Sequence, residues 1–144
     1  MSATLTFQLQ RLVDPLHQGQ ERAKAVARSV LVSVSHPVPQ TGTPLTIFAS
    51  GSRLATRRNF WARPAEDLWI IGIGDTSTLV ASDERSLEDA ERWRRSLLDD
   101  AIIYGADIRG TGPVFFGGFR FDPLGPRDSL WNGFPSGLLT LPRF

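Results

Sequence analysis

The spacing of apolar and polar residues changes several times along the chain, and each change marks a predicted element. Leu5, Phe7 and Leu9 alternate with Thr4, Thr6, Gln8 and Gln10, which reads as a half-buried strand. Asp14-Pro15 supplies an N-cap followed by a proline suited to the first helical position. A shorter helix at about 15–28 is therefore expected, in which Gly19 costs about 1 kcal/mol. Val30, Val32 and Val34 alternate with Leu31, Ser33 and Ser35, a second strand that His36-Pro37-Val38-Pro39 stops.

Thr43-Pro44-Leu45 caps a short helical turn that runs to Ser50 and ends at Gly51. Asn59 to Arg63 reads as a strand closed by Pro64. The apolar run Leu68 to Ile73, the turn residues Gly74-Asp75-Thr76-Ser77 and the run Thr78 to Ala81 predict a hairpin. A long amphipathic helix at about 86–104 follows. Ser86 and Asp89 approximate a capping box, and Leu87, Ala90, Trp93, Leu97, Leu98, Ala101 and Ile102 share one face. Glu88 to Arg92 and Glu91 to Arg95 are spaced for helical ion pairs, and Gly105 ends the run. Thirteen of the 23 Gly and Pro residues fall in the last 40 positions, so the final third should be turns joining short strands. Those strands are expected at 114–121 and about 138–142. The order predicts an α+β fold with a mixed, mainly antiparallel sheet, one long helix and one shorter one.

One stretch stands out: Phe115-Phe116-Gly117-Gly118-Phe119-Arg120-Phe121-Asp122-Pro123, with Trp131 and Phe134 just beyond. Both faces of such a strand are largely apolar, so it should be covered on both sides. Its paired glycines suit a place where another backbone or a large ring approaches closely. Arg120 and Asp122 lie two apart on one face and are expected to pair.

Composition narrows the function classes. The chain has 144 residues, 41% of them hydrophobic and 22% charged, as expected for a globular domain able to build a core. Sixteen basic residues against 15 acidic give a net charge of +1, so no nucleic-acid or membrane partner is expected. Cysteine is absent, which excludes disulfides, thiolate zinc ligands and thiol nucleophiles in this chain. The longest apolar run is far too short to span a bilayer, and a cytoplasmic location is expected.

Candidate chemistry is sparse. Gly72-Ile73-Gly74 lacks the third glycine and the helix of a dinucleotide fingerprint, so it reads as turn. His17 and His36, the two histidines, fall on different elements with no carboxylates spaced to complete a metal site. Asp99 and Asp100 diverge by about 100° on a helix and cannot face one metal. Lys24, the single lysine, sits among Gln, Glu and Arg, where nothing would desolvate it into a general base. Arg53, Arg57, Arg58 and Arg63 bracket Phe60-Trp61, either as a patch for an anionic metabolite or as a solvated face. No serine or threonine lies in a nucleophile elbow. The residues alone display no active site.

Four ordered stretches nevertheless resemble the N-terminal region of isochorismate synthases, members of the chorismate-utilising enzyme family. They are Leu31 to Ser35 with Thr43-Pro44-Leu45; Asn59-Phe60-Trp61 with Pro64 and Trp69 to Gly74; the helix carrying Trp93; and Phe116 to Pro123 with Trp131, Phe134 and Pro142. The Gly-Phe and Phe-Asp form of the last stretch is closest to the menaquinone-pathway isochorismate synthases. The resemblance implies the N-terminal half of the chorismate-binding fold, chorismate as substrate and Mg²⁺ as cofactor of the whole enzyme. It places the lysine base, the glutamate acid and the magnesium ligands in a larger C-terminal part, beyond Phe144. No catalytic, substrate-binding, cofactor-binding or metal residue is therefore assigned within residues 1–144, which are expected to be a single inactive N-terminal subdomain partnered by that missing part. The chain stops at or just after an apolar strand, which would leave a sheet edge unpaired. Two other readings remain: a stand-alone module binding an anionic metabolite, and part of a salicylate, anthranilate or aminodeoxychorismate synthase.

Overall fold

Helix α1 runs unbroken from Ser2 to Val26 in the computed structural model, which describes residues 2–39, 42–81, 85–122, 125, 129–131 and 133–144. The expected N-terminal strand is thus helix, and the expected 15–28 helix is its second half. The reason lies in the sequence. Leu5, Leu9, Leu12 and Leu16 also fall at helical spacing, and no glycine or proline interrupts residues 2–14. Pro15, read as a start, lies inside the helix, where it removes one backbone hydrogen bond. The helix ends at Ala27, whose φ of 52° is left-handed.

The remaining elements, in order, are β1 (Val32–Val34), α2 (Pro44–Ser50), β2 (Arg58–Arg63), β3 (Leu68–Ile73), β4 (Asp75–Ala81), α3 (Ser86–Leu98), β5 (Ile102–Tyr104), β6 (Phe116–Phe119) and β7 (Gly137–Pro142). The class is α+β, with antiparallel pairs β2–β3, β4–β7 and β6–β7 and one parallel pair, β1–β5. The chain divides into two compact units, Met1–Val38 with Arg94–Pro113 and Pro39–Trp93 with Val114–Phe144.

In the first unit, α1 packs on the parallel pair. A Cβ on Gly19 would lie 2.3 Å from Val32 Cγ2, so the glycine that weakens the helix also admits the strand. Strand β5 occupies residues assigned from sequence to the end of the long helix, which closes at Leu98 instead. Two features end it there. Asp99-Asp100 are poor helix residues, and Ile102-Ile103-Tyr104 prefer a strand. Asp100 is then held by Arg22 and Arg28 of the α1 side, and Arg28 Nη1 also donates to the Ser96 carbonyl at 2.9 Å.

Partial burial pushes the Asp100 carboxyl up, but hydrogen bonds and charge from Arg22 and Arg28 outweigh it, leaving the pKa below its ordinary 3.8. A depressed pKa contributes stability that is complete above the unfolded value and lost as pH falls through the folded one. Thermal melts should therefore hold steady from neutral pH to about pH 5 and fall below about pH 4. Asp100→Asn should flatten that acid limb; an unchanged limb would show that the two arginines do not hold a charged carboxylate.

In the second unit, Thr43 caps α2, its hydroxyl accepting from the Thr46 N–H at 3.2 Å, as its sequence predicts. Strands β2 and β3 form a hairpin around Pro64–Glu66 and the left-handed Asp67. The hairpin expected between β3 and β4 does not form. Gly74, at φ 69°, carries the chain out of the β2–β3 pair, and β4 pairs with β7 instead. Strand β7 is central in the order β4-β7-β6, so the apolar C-terminal strand is not an unpaired edge. Thr140 and Leu141, on opposite faces of it, are 3% and 4% exposed. Beyond β7, Phe144 and Ile73 exchange both backbone hydrogen bonds, at 3.1 and 2.7 Å. The first turns of α3 bury Ser86 and Ala90, and the Trp93 ring meets Phe115 edge-on at 5.3 Å.

Candidate functional site

Strand β6 is short, and its surroundings differ from the buried strand expected at 114–121. Only Phe116–Phe119 are strand, and Gly117, Gly118, Phe119 and Phe121 are exposed. The turn expected at Asp122-Pro123 lies partly outside the described residues. Beside β6, Phe119, Phe121, Trp131, Phe134, Pro135 and Leu138 wall a bowl of about 660 Å³ floored by Gly118. Trp131 and Phe134 meet edge-on at 5.5 Å. Among the described residues the charged members are Arg120, which donates to the Gly125 carbonyl at 2.7 Å, and Asp122, so that part of the lining carries no net charge. Sequence reading marked the aromatic residues of this bowl. It missed Pro135 and Leu138; the β6–β7 register sets Leu138 against Gly118 and so brings it to the bowl.

The arginines flagged as an anion patch are occupied otherwise. Arg57 pairs with Asp75 at 2.9 Å, and Arg63 pairs with Glu66. Arg58 donates to the Phe48 carbonyl at 2.9 Å while its guanidinium lies 4.7 Å from the Phe48 ring centroid. Phe60 stacks between Phe48 and Trp69, at 5.6 and 5.8 Å. The cluster ties α2 to β2, and the residue that leads into β2 to β4; three of its four cations serve structure.

In the first unit a polar cleft of about 410 Å³ opens at the carboxyl ends of β1 and β5, between Arg11, Asp14 and Gln18 of α1 and Ser35, His36 and Gly105. Tyr104 donates its hydroxyl to Gln18 at 2.9 Å, and the Ser35 hydroxyl accepts from the Gly112 N–H at 2.9 Å. Sequence reading missed this cleft because it split α1 and took β5 for helix. His36 Nδ1 lies 3.3 Å from the Pro37 carbonyl, and His17 is exposed on α1. Lys24 is exposed and paired with Glu21 at 2.8 Å; that hydrogen bond and the lysine's charge lower the Glu21 pKa.

Magnesium needs converging oxygen ligands, several of them carboxylates. Among the described residues no group of three metal-ligating side chains comes together. Asp75, Asp89, Asp100 and Glu66 each face an arginine, which satisfies their charge. These residues do not fit Mg²⁺. Nor is any described helix long and apolar enough to cross a membrane.

Comparison with known proteins locates the chain. It is similar to isochorismate synthase MenF of Bacillus subtilis, with 35% identity over 128 residues, covering 84% of this chain and 27% of that protein. It is also similar to the salicylate biosynthesis isochorismate synthase of Pseudomonas aeruginosa, with 31% identity over 120 residues, covering 83% of this chain and 24% of that protein. The chain thus spans about a quarter of the length of these relatives. No solved structure gives a significant match. Residues 17–144 match the family described as chorismate binding enzyme, and the match takes in β6, the bowl and every strand. On that evidence the chain belongs to the chorismate binding enzyme family.

Proposed function

We propose that residues 1–144 form the N-terminal scaffold part of an isochorismate synthase and carry none of its acid–base groups. The observation that carries this reading is the match, over more than four-fifths of the chain, to two proteins named as isochorismate synthases. In the whole enzyme, water adds at C2 of chorismate as the C4 hydroxyl leaves, with a base and an acid acting together. Those groups, and the magnesium ligands, belong to the polypeptide that the relatives carry beyond the matched stretch. The Gly-Phe and Phe-Asp form of residues 118–122 supports a menaquinone-pathway isochorismate synthase over an anthranilate or aminodeoxychorismate synthase, and a cytoplasmic location accords with that role.

Incubated with chorismate and Mg²⁺, the 144-residue chain should give no isochorismate by chromatography; turnover by this chain alone would sink the scaffold role. Joined to the remaining part of the Bacillus subtilis protein in place of its matched segment, it should restore isochorismate formation. The rival reading, a stand-alone module for an anionic metabolite, predicts micromolar chorismate binding that Arg57→Ala and Arg58→Ala abolish. The pairing of Arg57 with Asp75 and of Arg58 with the α2 carbonyls speaks against it.

A further inference from the structure

Gly118 poses a physical question. Glycine inside a strand forgoes side-chain packing and is usually explained by a left-handed φ or a close neighbour. Gly118 has neither: its φ is not in the left-handed region, and a Cβ built on it meets no atom of the described residues within 4 Å. Its neighbour Gly117 has both. The space above Gly118 is therefore left open by the described residues.

The surroundings of that space are apolar and uncovered. Phe121 is 104% exposed, Trp131 59% and Phe134 61%, around a cavity of about 660 Å³. Single exposed apolar residues are ordinary, whereas several contiguous aromatics around one cavity mark an interaction site. The backbone is open too. Among the described residues β6 pairs with β7 alone. The Arg120 N–H donates to the Ser136 carbonyl at 2.7 Å, so ladder alternation turns the backbone groups of Gly117 and Phe119 toward the other edge. An open strand edge beside an aromatic bowl without net charge suits an apolar polypeptide segment better than a charged metabolite.

We propose that the bowl around Gly118, with the outer edge of β6, seats the polypeptide that the relatives carry beyond the stretch matched here. This rests on the reading given under Proposed function. The two relatives are about four times as long as the segment they share with this chain, which covers 27% and 24% of them. That length offers ample chain to close a face that the described residues of this unit leave open. A second copy of residues 1–144 is the competing occupant.

The chain contains no cysteine, so Phe121→Cys places a single thiol in it on a side chain exposed to solvent. In the 144-residue chain that thiol should react with a maleimide at the rate of an unstructured peptide. In the protein joined to the remaining part of the Bacillus subtilis relative, peptide-resolved labelling should slow by roughly tenfold or more. Equal rates in a joined protein that forms isochorismate would overturn the proposal and leave the functional reading standing. A protected thiol in a joined protein without activity would do the reverse. Protection that appears in the 144-residue chain with rising concentration, alongside a dimer in sedimentation, would assign the bowl to a second copy and overturn it. Gly118→Val supplies a test that needs no joined protein. It should leave the melting temperature of the 144-residue chain unchanged, and a fall of several degrees would show that the chain itself fills the space.

Discussion

Gly117→Ala should destabilise the second unit by about 3 kcal/mol or more, lowering its melting temperature on the order of 10 °C. Two terms add. The φ of Gly117 is 152°, a region that a side chain makes strained. The new Cβ would also lie 1.9 Å from the Leu138 carbonyl oxygen and 2.9 Å from Leu139 Cα. Those are backbone atoms of the neighbouring strand, and they can retreat only if the β6–β7 ladder opens. Gly118→Ala, one residue on, is the control, because none of the described residues comes within 4 Å of its Cβ. Urea melts of the two variants should separate clearly; coincident midpoints would mean that the ladder yields at little cost.

Leu141→Ala should cost about 2–5 kcal/mol, the range for removing a buried leucine and leaving part of its volume empty. Leu141 is 4% exposed on the central strand, opposite Ser77 of β4. Among the described residues the buried apolar side chains besides it are Ala81 and Ala90, which are too small to close over the void. With so small a core, the upper part of the range is expected. Leu138→Ala offers the comparison: it neighbours Leu141 in sequence distance but is 36% exposed, so its loss should stay near 1 kcal/mol. Equal losses at the two positions would place the core elsewhere.

Elements set by short-range chemistry were legible residue by residue. The Thr43 cap, the β2 stretch closed by Pro64 and the start of α3 at Ser86 need only a few neighbouring residues to specify them. Elements that depend on distant partners were not. Residues 102–104 continue the apolar period of α3, and only pairing with Val32–Val34 makes them a strand. The turn at Gly74 has hairpin composition, yet the strands on either side prefer other partners. The N-terminal alternation and a helical period coexist in the same leucines, and the unbroken run of helix-compatible residues decides for α1. The aromatic half of the bowl was marked in the sequence, while the polar cleft between α1 and the ends of β1 and β5 was hidden by those two errors.

The family was readable from the residues alone, because ordered short stretches survive as a pattern whatever their partners. The α+β class was legible there too. Only the tertiary structure decided which strands meet, that β7 is central, and that the Phe116–Phe121 stretch is half uncovered rather than buried. The reason is physical. Local propensity reaches over a few residues, whereas strand pairing and burial are settled by the distant surfaces available to cover a face. For the bowl around Gly118, the described residues do not supply that surface.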